Sequence, residues 1–217
     1  MKTATNSKAT AKNRISEIRI EIPEIEIKEM TITVRGTSEL ITHQFGEKAR
    51  KKIKSKQAQE PTKARAKRDP KAEYLASCYV MPSSKYKAGH KKCKYGVPAS
   101  AFKNAMVAAC RVTGAQMTVT KIAFHVSADE SNLVNLSFKK MEMREDVVRL
   151  AGPSRPADLR YRPEFSGWSC KLRIRYNSRA ITAAQLVNLL NNAGFGVGIG
   201  EWRPERNGSF GTFEVKA

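Results

Sequence analysis

Between Trp168 and Tyr176 every second residue is large or apolar (Trp168, Cys170, Leu172, Ile174, Tyr176), and the residues between them are Ser169, Lys171, Arg173 and Arg175. A period of two held over nine residues is a β-strand with one face in a core and the other in solvent, and the solvent face here is cationic. The next forty residues narrow the architecture. Thr182 and Gln185 stand at capping-box spacing, and Leu186, Leu189, Leu190 and Ala193 form the buried stripe of a helix ending at Gly194. A glycine-rich loop and an apolar strand over residues 210 to 215 close the chain. Strand, helix, loop and strand make the second half of a ferredoxin-like α+β sandwich, an antiparallel sheet with packed helices.

The first half reads less sharply. Isoleucines 18, 20, 22, 25 and 27 alternate with Glu and Arg and are interrupted by Pro23, as an edge strand tolerates; Met30, Ile32 and Val34 then lead to a stop at Gly36. A helix opens at Pro98, buries Phe102, Met106, Ala109 and Cys110, and ends at Gly114. Short strands are expected over 122 to 126 and 133 to 138, while residues 139 to 156 carry no readable period. Residues 159 to 162 are expected to pair with the 168 to 176 strand through a turn at 163 to 167, adding Arg160 and Arg162 to its cationic strip. At 217 residues, the chain holds a flexible basic arm over 1 to 14 and one domain over 15 to 217.

Forty Lys and Arg face twenty Asp and Glu, a formal net charge of +20, and such self-repulsion is relieved by a polyanion. The excess is concentrated: residues 1 to 96 hold 23 cationic and 10 anionic groups. Residues 47 to 73 contain 11 basic and 4 acidic residues and a single large aliphatic one, Ile53, so they form an exposed basic loop or frayed helix inserted in the domain. A second cluster, Lys85, Lys87, His90, Lys91, Lys92 and Lys94, surrounds Gly89 with Tyr86 and Tyr95 interleaved. The surface expected to neutralise a nucleic-acid backbone therefore comprises Lys48, Arg50, Lys51, Lys52, Arg65, Lys67, Arg68, Lys91 and Lys92 from the excursions, and Arg160, Arg162, Lys171, Arg173 and Arg175 from the strip.

Residues 194 to 211 contain six glycines, which admit two readings. Bare backbone at Gly196, Gly198 and Gly200 lets a phosphate or base approach, with charge from Arg203 and Arg206 and stacking on Trp202, Phe195 or Phe210. Alternatively the glycines serve only tight helix-to-strand packing. The loop follows a helix and opens a strand, the reverse of a dinucleotide fingerprint, and no Walker loop occurs.

Little in the sequence suggests catalysis. Of the three histidines, His43 follows a strand and is the one candidate general acid or base, but no nucleophile, base and orienter stand together. His90 and Cys93 form a lone HxxC without a second metal-binding pair, and Glu142, Glu145 and Asp146 beside Arg144 and Arg149 read as a solvated face. No cofactor or metal is indicated. Four scattered cysteines without a CxxC suit a reducing compartment, and there is neither an apolar signal core nor a run of the roughly 20 residues a membrane span needs. A cytoplasmic, non-membrane protein is expected.

The carboxy-terminal helix, its glycine-rich loop with arginines and the apolar closing strand resemble the RAMP superfamily, the RNA-binding proteins of CRISPR effector complexes, and the opening strand through Gly36 with its continuation over residues 37 to 43 echoes that fold's first strand. Residues 143 to 152, 158 to 168 and 194 to 205 also resemble stretches of uncharacterised bacteriophage-encoded proteins. The RAMP likeness implies a basic groove for a single strand, a thumb-like excursion at 47 to 73 and assembly of copies along the strand; some members cleave RNA using a histidine. The expectation is thus a binder of single-stranded RNA or DNA with little sequence preference. A protein that docks on a nucleoprotein complex and a RAMP-like RNA endonuclease are the alternatives.

Overall fold

The computed structural model describes residues 22, 24 to 61, 67 to 150, 153 and 155 to 216. The basic arm, most of the isoleucine alternation and Arg65 lie outside the described residues. The chain builds strands β1 (Ile27–Gly36) and β2 (Leu40–Ile41), helices α1 (Glu47–Gln57) and α2 (Pro70–Ala76), strand β3 (Tyr95–Pro98), and helices α3 (Ala99–Thr113) and α4 (Met117–Ala123). It continues through β4 (Phe124–Ser127), β5 (Leu133–Ser137), β6 (Lys140–Arg149), β7 (Ala157–Ser166), β8 (Ser169–Asn177), α5 (Ala183–Gly196) and β9 (Phe213–Val215).

The main sheet has the order β3-β5-β8-β1-β9, with β4 also on β8. All its pairings are antiparallel. With α3 after β1 and α5 between β8 and β9, the four principal strands lie in the order fourth, first, third, second, the ferredoxin-like arrangement. Its second strand is split: Phe124 to Ser127 pair with Tyr176 to Arg173, the chain leaves the sheet over 128 to 132, and Leu136 and Ser137 resume opposite Cys170 and Ser169.

The alternation in β8 is realised residue by residue. Cys170, Leu172, Ile174 and Tyr176 are buried with Trp168, against Ile32 and Val34 of β1 and the apolar faces of α3 and α5. Helix α3 buries Phe102, Met106, Ala109 and Cys110 and ends in left-handed Gly114. Helix α5 opens on the Thr182–Gln185 capping box, buries Leu186, Leu189, Leu190 and Ala193, and runs to Gly196, two residues beyond the expected stop. Gly194 stays inside it because a Cβ there would stand 1.9 Å from the Phe213 carbonyl oxygen, so the glycine permits close packing of α5 on β9.

Three expectations need correction. Residues 157 to 166 do not pair with β8; β7 pairs with β6 along its whole length and with β2, forming a second, three-stranded sheet. The other arm of that hairpin, β6, is drawn from the unread stretch 139 to 156 and covers Lys140–Arg149 of it. Ile122 and Ala123 belong to the end of α4, and the strand begins at Phe124. The basic insertion contains α1 and α2: α1 has cationic residues on nearly every turn and Ile53 exposed, whereas α2 is capped by Asp69 and packs on β7.

Candidate nucleic-acid interface

One face of the main sheet carries α3 and α5. On the opposite face no described helix packs. Because β8 is central in the sheet, its outward residues Lys171, Arg173 and Arg175 form a row of exposed cations about 6.6–6.8 Å apart along the middle of that open face. Register places Thr33 and Thr31 of β1 opposite Lys171 and Arg173, and Glu29 opposite Arg175. On the other flank His125 lies opposite Arg175 and Ser127 opposite Arg173. Arg173 donates to the Ala128 carbonyl at 3.0 Å and sits 3.5 Å from Asp129, which orients its guanidinium; Arg35 is paired with Glu214. At the end of the face beside Trp168, a depression of about 550 Å³ gathers Arg35, Lys139 and Lys216 with Thr33, Thr37 and Ser169. Cations and hydroxyls therefore dominate the face, with the His125 imidazole on its flank, which suits contact with a sugar–phosphate backbone.

The lysine cluster hangs on the β3 margin of the same sheet. Its excursion is closed by the Val80–Tyr95 bridge and tethered where the Ser83 amide donates to Glu130 at 2.7 Å, one residue from Asp129. Lys91 and Lys92 are exposed there, beside Tyr86, whose ring stacks on His90 at 4.1 Å and an interplanar angle of 5°. Arg50, Lys51 and Lys67 are also exposed, on or after α1. Lys48 and Lys52 lie in α1.

Other candidates are committed elsewhere. Arg162 is 4 % exposed, 3.3 Å from Glu201 and 3.9 Å from Asp146, so it braces the second sheet against the glycine loop instead of extending a cationic strip. Asp146 is buried there and bonded to Arg144 at 2.8 Å, correcting its reading as part of a solvated face. Arg68 donates to Glu73, Asp158 and the Leu159 carbonyl, clamping α2 to β7. Arg160 pairs with Asp158 at 3.4 Å on that second sheet.

The glycine loop is chiefly a packing device. Gly198 and Gly200 have φ of +69° and +77°, and a Cβ on Gly200 would lie 2.3 Å from the Ile41 carbonyl oxygen. The amides of Gly198, Ile199 and Glu201 donate to Ala193, Gly211 and Ile41, leaving them nothing to offer a phosphate. Gly196 faces open space at the end of α5. Arg203 donates to Glu205 and the Gly200 carbonyl, Phe210 lies under the Arg144 guanidinium at 4.6 Å, and Trp202 and Arg206 are exposed. The loop does wall a groove of about 870 Å³ with α3 and α4, where Arg203 and Arg206 meet Arg111 and Lys121, two cations that no local pattern marks. This groove lies on the helical layer, away from the open face.

His43 is half-buried, its carbonyl accepting from the Tyr79 hydroxyl at 3.3 Å. Burial lowers its pKa from 6.5; Glu201 opposes this, and Arg162 and Arg160 add to it. Among the described residues no group of three His, Cys, Asp or Glu side chains is arranged to hold a metal, and no helix is long and apolar enough to cross a membrane.

The chain matches no protein-family model and no curated protein. Among solved structures it is similar to the crystal structure of Cmr6 from Pyrococcus furiosus, with a TM-score of 0.46 and 8% sequence identity over 89% of this chain and 100% of that one. The likeness is weak and concerns the fold.

Proposed function

We propose that the protein binds single-stranded nucleic acid across the open face of its main sheet. The observation that supports this most directly is the row Lys171, Arg173 and Arg175 on a central strand whose outward face no described helix covers. Sheet geometry fixes the spacing at which the three side chains leave the backbone, and the Ala128 carbonyl and Asp129 orient Arg173, so less ordering of that side chain has to be offset on binding. The flanking threonines and serines add hydrogen-bond donors for phosphate and sugar oxygens. A strand lying along β8 neutralises the row and relieves the self-repulsion of a +20 chain. Lys91 and Lys92 at the β3 margin, and the cations of α1, extend the field that draws the polyanion in. Contacts from these cations and hydroxyls to phosphate and sugar carry no sequence information, so discrimination among base sequences is weak.

Fluorescence-anisotropy titration of nuclease-treated protein with labelled single-stranded RNA, single-stranded DNA and duplex DNA at two salt concentrations tests this reading. Salt-sensitive binding of single strands, recovered intact on a gel, is expected. Binding to none of the three at low salt contradicts it.

A further inference from the structure

The groove between α3, α4 and the glycine loop has a character different from the open face. Its floor is apolar, with Ala101, Ala105, Ala108 and Met117, and four cations stand around it against one acid, Glu205. Glu205 is already engaged by Arg203, and lies 3.7 Å from Arg111, so Lys121 and Arg206 are the cations with no described ion-pair partner. Beside the groove Val112, Val119 and Ile122 are exposed. An apolar floor, a cationic rim and an uncovered aliphatic margin suit an acidic, aliphatic segment.

The chain contains one stretch of that chemistry. Residues 15 to 27 hold Glu17, Glu21, Glu24 and Glu26 against a single Arg19, interleaved with isoleucines, inside a protein whose net charge is +20. In its described part the isoleucines are uncovered: Ile22, Ile25 and Ile27 are 86%, 67% and 47% exposed. The departure point is fixed, because Ile27 pairs with Asn177 and the Ser178 amide donates to the Glu26 carbonyl at 2.8 Å. Six extended residues span roughly 20 Å, and α3 from Ser100 to Arg111 is about 17 Å long, so the two are commensurate.

We infer that the acidic isoleucine segment ending at Ile27 docks into the α3–α4–glycine-loop groove of a second copy of this chain. Isoleucines cover the alanine and methionine floor while Glu24 and its neighbours meet Arg206 and Lys121. Segment and groove are different surfaces, so the contact is head-to-tail and leaves a free segment at one end and a free groove at the other; copies therefore add in series. The contact uses a surface separate from the proposed nucleic-acid face and stands or falls independently of it.

Analytical ultracentrifugation of the nuclease-treated full chain at rising concentration tests it, with polyanion removed so that nothing bridges copies. Mass rising beyond the dimer with concentration is expected. The segment variant Ile22→Ser/Ile25→Ser and the groove variant Lys121→Glu/Arg206→Glu should each remain monomeric, with unchanged circular dichroism. An equimolar mixture of the two should form dimers and stop there, since only one competent segment and one competent groove remain to meet. A monomer at every concentration, as docking of the segment on its own groove would give, overturns the inference. So does self-association that either variant leaves intact.

Discussion

Arg162 Nη1 lies 3.3 Å from Glu201 Oε2, joining a strand of the second sheet to the loop that leads into the last strand of the first. Its Nη2 is 3.9 Å from Asp146, and Arg162 Nε and Asp146 Oδ2 are both buried without a hydrogen-bond partner among the described residues. A guanidinium held this far from water is stable only while its acids remain.

Asp146→Ala is therefore expected to lower folding stability by about 3 kcal/mol, because it leaves Arg162 buried with Glu201 alone and takes one of two acids from Arg144, which keeps Glu164 at 2.7 Å. Urea unfolding measures this. A change within ~0.5 kcal/mol, the range of ordinary surface substitutions, contradicts the bracing role.

Two glycines of α5 should respond in opposite directions. A Cβ at Gly194 would meet the Phe213 carbonyl oxygen at 1.9 Å, so Gly194→Ala is expected to cost about 2–3 kcal/mol through displacement of α5 from β9. A Cβ at Gly196 meets nothing within 4 Å, and Gly196→Ala should be neutral or stabilise by about 0.5 kcal/mol. Thermal melts of the two variants decide it; equal losses would show that the loop, not the packing, requires glycine.

These glycines mark what the sequence could and could not convey. The alternation from Trp168 to Tyr176, the Thr182 cap and the stripe of α5 are local signals, and each became the element expected, because one-sided burial imposes its period directly on the residues. Arg162 carries no such signal. It sits in a strand where Tyr161 and Phe165 suggest ordinary alternation, and its burial depends on Glu201, 39 residues away. Nor could β6 be read, since Glu145 interrupts the Met141, Met143, Val147 series, Val148 follows directly, and the strand buries Asp146 while exposing Met143 and Val147, on a hairpin whose other arm, β7, is close enough in sequence to β8 to suggest pairing there. The open-face row was legible as a basic strand face. Its setting beside Thr33 and His125, and the groove that brings Arg111 and Lys121 to Arg206, arise only from tertiary packing.

His43 should contribute a pH dependence of stability. Burial lowers its folded-state pKa below the 6.5 of an unperturbed histidine, so the unfolded chain binds the proton more readily. The contribution is intact above pH 6.5, and stability is lost as pH falls through that value. His43→Gln is expected to reduce the drop in melting temperature between neutral and mildly acidic buffer. An undiminished drop would place the titrating group elsewhere.

The open face is tested most directly by the salt dependence of single-strand binding in the variant Lys171→Gln/Arg173→Gln/Arg175→Gln. All three side chains are exposed, so circular dichroism should be unchanged. Each phosphate contact to a single strand contributes about 0.7 to the slope of log affinity against log salt. Loss of the row should therefore weaken binding at low salt and reduce the slope by about 2. Affinity and slope equal to those of the unaltered protein would contradict binding on the open face.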